Sequence, residues 1–116
     1  MQKFMLIVRE NLSPMHGITP AQRFAGSPDM NGWVEELVAA GKYISGQPFA
    51  IRGAYVSQHE TLTEGQFLHD KEGLSGFDLI YANDLSDAIR IAQSCPMVRI
   101  GMAIREVRPF EEFPGQ

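Results

Sequence analysis

Seven segments in the order β-α-β-β-β-α-β predict an α+β fold, a ferredoxin-like antiparallel sheet with two helices on one face. Three observations carry that reading. The opening KFMLIVRE is a dense, β-favouring apolar run too short for a buried helix, two later segments repeat apolar residues every three or four positions, and strand-like runs lie between and after them. At 116 residues, with no linker-like composition, the chain is expected to form one domain, 1–116, with its own apolar core.

The first strand, Lys3 to Glu10, precedes the turn-like NLSP and is apolar on both alternations, with Phe4, Leu6 and Val8 on one side and Met5 and Ile7 on the other. A helix can start at Thr19-Pro20, and Ser27-Pro28-Asp29 offers a second start after Gly26. Met30, Trp33, Val34, Leu37 and Val38 then form one helical stripe with Glu35 and Glu36 outside it, and Gly41 ends the helix. Strands follow over Lys42–Gly46 and Ala50–Gln58, with Gly46 and Gly53 marking bends, and again over Gly76–Ala82. Asn83-Asp84 caps a second helix in which Leu85, Ala88, Ile89 and Ala92 recur, and Pro96 stops it. Arg99–Arg108, with Ile100, Met102 and Ile104 in alternation, predicts the last strand.

With both helices on one side, the other sheet face would be a large apolar patch. A second copy covering it is the natural solution, so a homodimer is expected. Ten basic and fourteen acidic residues give a net charge of −4, which supplies no basic face for nucleic-acid phosphates. No apolar run approaches the ~18 residues that span a bilayer. The start lacks the pattern of a signal peptide and the lone Cys95 cannot form an intramolecular disulfide, so a cytoplasmic protein is expected, with no nucleic-acid or membrane partner.

His16, His59 and His69 do not stand at metal-ligand spacing, and no nucleotide-binding or hydrolase motif occurs, so no metal and no cofactor are expected. Cys95, at a helix C-terminus, reads as a small core residue. The stretch EGQFLHDKEG is the best site candidate. His69 beside Asp70 offers an imidazole whose charged form a carboxylate favours, a pair suited to acid–base catalysis, and Lys71 can hold an anion. The plain alternative is a hydrated hairpin. Arg9 and Arg105 sit on apolar strands and are either structurally paired or anion-binding. Trp33 reads as a core or dimer contact. The expected site therefore has His69 and Asp70 as catalytic groups and Arg9, Glu64, Lys71 and Glu72 as substrate-binding groups for a small anionic ligand.

The segments KFMLIVRE, EELVAAGKYISG, EGQFLHDKEGLSGFDLI, SDAIRIAQSCP and REVRPF, in that order, resemble the YCII-related, or DGPF-domain, family of small bacterial proteins. The resemblance implies ferredoxin-like dimers of the dimeric α/β-barrel type. The family's Asp-Gly-Pro-Phe stands here as Glu64-Gly65-Gln66-Phe67, and the Lys-Glu pair that follows it as Lys71-Glu72. Members with lyase- or dehydrochlorinase-like chemistry pair an Asp with a His on or near the first helix. Thr19–Ala40 contains no histidine, Asn31 occupies that region, and His69 would have to serve instead. The resemblance thus implies a small-molecule-binding or enzyme-like dimer with lyase- or hydrolase-type acid–base chemistry on a small organic acid. Its alternative is a non-catalytic regulatory or protein-interaction module associated with extracytoplasmic sigma-factor transcription.

Overall fold

A computed structural model of the chain describes residues 1–11, 28–50, 52–63 and 73–112. Four strands form an antiparallel sheet: β1 (Gln2–Glu10), β2 (Tyr43–Pro48), β5 (Gly73–Ala82) and β6 (Ala103–Pro109), in the order β2-β5-β1-β6. Between β2 and β5 lies a short hairpin of β3 (Tyr55–Val56) and β4 (Thr61–Leu62). Helix α1 (Pro28–Ala39) joins the β1 side of the chain to β2, and α2 (Leu85–Gln93) with the single-turn α3 (Pro96–Arg99) joins β5 to β6. This α+β arrangement is compatible with the ferredoxin-like class.

Both long helices begin and end for local reasons. Gly41, at φ 72°, follows α1, with its N–H donating to Val38 O and the Lys42 N–H to Leu37 O. This pair of bonds satisfies the last carbonyls of the helix and requires a residue that tolerates positive φ. At the start of α2, Asp84 accepts from the Asp87 N–H at 2.8 Å while the Asp87 carboxylate accepts from the Asn83 N–H at 2.9 Å. Two otherwise orphaned donors are thereby paired.

Phe4 and Leu6 of β1, Ile80 and Ala82 of β5, Trp33 and Leu37 of α1, and Ala88, Ile91 and Ala92 of α2 form one core, closed by Cys95 between α2 and α3. Both helices therefore cover the same sheet face. Met5, Ile7, Phe77, Leu79 and Tyr81 alternate with those core strand residues and are half-buried on the other face. Ser75 is skipped between the pairs Val8↔Gly76 and Arg9↔Leu74, a β-bulge that places Leu74 opposite Arg9 and Gly73 opposite Glu10.

Several elements differ from the sequence reading. Val38, placed on the α1 stripe, is 58% exposed, and Leu85 and Ile89 of α2 are exposed while Asp87 and Ile91 turn inward. Three- and four-residue spacing defines a helical stripe but not which edge of it meets the sheet. The last strand begins at Ala103 because Pro96–Arg99 forms a helical turn ended by Gly101 at φ 76°. Ile100, Met102 and Ile104 are exposed. Pro96 does stop α2, but as the first residue of the next helix. The strand expected over Ala50–Gln58 shrinks to Tyr55–Val56. The helix start at Thr19 lies outside the described residues.

Candidate functional site

Two charged assemblies flank the centre of the sheet, one on each face. On the helix-covered face, Arg105 of β6 pairs across Val8 with β5. Its side chain is 3% exposed, its Nη1 donates to Asp78 Oδ2 at 2.5 Å, and its guanidinium lies 5.1 Å from the Trp33 ring centre. Asp78 also accepts from the Tyr43 hydroxyl at 2.7 Å. Burial, with the adjacent Asp78 carboxylate, pushes the Tyr43 phenol up from its ordinary value. Gly46 makes the pairing possible, because a Cβ there would meet both the Asp78 carboxylate and the Tyr43 hydroxyl inside contact distance. Trp33 in turn donates from Nε1 to Ser94 Oγ at 2.9 Å. An Arg–Asp–Tyr chain thus runs from β6 across β1 to β5 and on to β2, spanning all four strands beneath α1.

The open face carries the second assembly. Arg9 donates from Nε to Glu106 Oε1 at 2.9 Å, and Arg108 donates to Glu106 Oε2 at 3.0 Å. The hydrogen bonds from Arg108 and Arg9 hold the Glu106 carboxyl below the usual range. Arg9 also lines an open hollow of about 240 Å³ with Glu10, Asn11 and Gly101–Ile104. A third pair, Lys42 to Asp87 at 3.2 Å, ties the end of α1 to α2. The Asn83 N–H and then Lys42 hold the Asp87 carboxyl down. Its role is to fasten two helices.

Of the residues expected to form a site, Arg9 is described and is ion-paired at the edge of the hollow. Glu64, His69, Asp70, Lys71 and Glu72 lie outside the described residues, as does His16. His59 stands exposed in the turn between β3 and β4. Arg105 proves to be structurally paired, one of the two readings its sequence position allowed. Its partner Asp78 was missed, although a carboxylate inside the apolar GFDLIYA is a signal, since a charge on a buried strand needs a cation nearby. No helix is long and apolar enough to cross a membrane among the described residues.

A family model, the YCII-related domain, matches residues 3–111, and the chain belongs to that family. No curated protein matches the chain.

Proposed function

We propose that this YCII-related chain is a small-molecule-binding, enzyme-like homodimer of the dimeric α/β-barrel type that takes a small organic acid. His69 and Asp70 carry lyase- or hydrolase-type acid–base chemistry, and Arg9, Glu64, Lys71 and Glu72 bind the substrate. The observation that supports this best is the position of Arg9. It sits at the end of β1, beside the pairing of Glu10 with Gly73, which is the residue that follows Glu64–Glu72 in the chain. Its pair with Glu106 uses Nε, and Arg108 shares the same carboxylate. The terminal nitrogens of the Arg9 fork are the ones a substrate carboxylate would take, in the bidentate geometry that arginine favours. An imidazole beside a carboxylate then supplies a proton donor and acceptor near neutral pH.

The half-buried apolar row Met5, Ile7, Phe77, Leu79 and Tyr81 supports the dimer, because a second copy would remove it from water. The same face would also serve the non-catalytic reading, an interaction module associated with extracytoplasmic sigma-factor transcription. Sedimentation of the chain alone separates the two. Twice the 12.9 kDa chain mass is expected, with Ile7→Asp splitting the dimer, whereas a micromolar monomer would favour a different protein partner. For the site, a thermal-shift screen of small organic acids should find a ligand whose stabilisation disappears in His69→Ala and Arg9→Ala while both variants remain folded dimers. Full retention of binding in both would remove this assignment.

A further inference from the structure

The arginine end of the open face is flanked by apolar side chains that the fold leaves in water. Arg9 pairs with Leu74 of β5 on one side and with Ile104 of β6 on the other, and directly opposed residues of an antiparallel ladder share a face. Leu74 is 46% exposed and Ile104 57%, and Met102, 62% exposed, lines the same hollow as Arg9 and Ile104. The end of α3 holds Met102 there, with the Gly101 N–H donating to Val98 O at 3.0 Å and the Met102 N–H to Met97 O at 2.9 Å. One wall of the hollow is thus preformed and apolar.

Charge is distributed unevenly around it. Arg9 and Arg108 share the single carboxylate of Glu106, so these three groups together carry one positive charge. Glu10, the next residue of β1, also borders the hollow and disfavours a second anion beyond the arginine. Its volume of about 240 Å³ falls below the ~300–1,000 Å³ of clefts that take drug-sized ligands.

We infer that this hollow selects a monocarboxylic acid with a short apolar body. The inference rests on the reading of Arg9 as the partner of the substrate carboxylate. The terminal nitrogens of Arg9 take the carboxylate while Nε stays with Glu106, and the hydrocarbon covers Ile104 and Met102, with Leu74 flanking the arginine on its other side. Hydroxyl groups on that body would give up water for an apolar wall, and a second carboxylate would meet Glu10.

Hexanoate, adipate and gluconate share a six-carbon chain and differ in what that chain carries, so calorimetric titration of the wild-type protein with each, at one ionic strength, reads the selection. Hexanoate should bind about tenfold more tightly than either of the others. Ile104→Ser combined with Met102→Ser should weaken hexanoate about fivefold and leave gluconate unchanged, because both side chains are exposed and the fold does not depend on them. Arg9→Gln should abolish hexanoate binding. Adipate or gluconate binding as tightly as hexanoate, and lost in Arg9→Gln, overturns the selection while leaving Arg9 as the carboxylate partner. Wild-type hexanoate affinity in the double serine variant likewise overturns the apolar wall alone. Hexanoate binding that survives Arg9→Gln overturns both this inference and the reading beneath it. Absence of binding by all three acids overturns this inference, and the wider screen of organic acids then decides the reading beneath it.

Discussion

Arg105 and Glu106 are neighbours on β6 and point to opposite faces of the sheet, so one strand carries two ion pairs in two different solvents. The Arg105–Asp78 pair lies under α1, walled by Trp33 and Tyr43, with its arginine almost wholly removed from water. The Arg9–Glu106 pair lies on the open face with about a third of each side chain exposed. Attraction between charges strengthens as the dielectric falls, but so does the penalty for leaving either charge alone. The covered pair is consequently an all-or-nothing arrangement, whereas the open pair can be broken and water will take its place. Only the second is available to a ligand without disrupting the fold.

The sharpest way to break this contrast is Arg105→Met, which strands the Asp78 carboxylate. A loss of about 3–5 kcal/mol is expected from equilibrium urea denaturation, the range for a buried pair deprived of one partner. A midpoint unchanged within error would mean that water reaches Asp78 and that the two faces are alike. Next in size is Gly46→Ala, whose methyl group would displace both the Asp78 carboxylate and the Tyr43 hydroxyl. Overpacking of this kind costs about 1–3 kcal/mol, and near-UV circular dichroism should report the shifted tyrosine.

Titration separates the faces further, because they respond at opposite ends of the pH scale. The folded-state Tyr43 phenol is raised above the ~10 of a free tyrosine. Above that pH the unfolded chain loses a proton that the folded chain keeps, so the stability it contributes is present below about pH 10 and is lost as pH rises towards the folded value. Tyr43→Phe should flatten this alkaline decline. Glu106 is lowered in the folded state, so its contribution is present above the ordinary glutamate range and is lost as pH falls through the lower folded value. Glu106→Gln should flatten the acid side and leave the alkaline side alone. The smallest effect belongs to Arg9→Ala, whose stability change should fall within the scatter of surface substitutions and vanish in high salt. A large, salt-independent loss there would show that the open face is drier than its exposure implies.

The parts of the fold set by neighbouring residues were legible in the sequence. Pro28, Gly41 and Asp84 mark helix ends through backbone geometry and short-range hydrogen bonds, and each marks its end in the structure. The antiparallel sheet with helices on one face followed from the order of the segments. Orientation was harder to read, because Leu85 and Ile89 share a stripe with Ala88 and Ala92 and only contact with β5 and β6 decides which edge turns inward. Ile100, Met102 and Ile104 mimic strand alternation, but Ile100 and Met102 flank a positive-φ glycine in a turn. For the site, Arg105 stands out in the sequence as a charge on an apolar strand. Its partner is 27 residues away, and a cross-strand pairing of that kind is a property of sheet register.

The skipped Ser75 in β5 works as a change of phase. Side chains on a strand keep a strict two-residue beat, and the extra residue moves that beat by one step between Gly76 and Leu74. Downstream, the beat delivers Asp78 and Ile80 to the helices; upstream, it delivers Leu74 to the same side as Arg9. Deleting Ser75 would straighten the strand and keep Leu74 opposite Arg9 and Gly73 opposite Glu10. Pairing Ser75 with Arg9 in an unbulged ladder would instead exchange the destinations of Gly73 and Leu74, turning the leucine into the helical side and a bare glycine towards the arginine. One inserted residue thus lets the apolar needs of the core and the chemical needs of the open side be written in a single strand without either dictating the other.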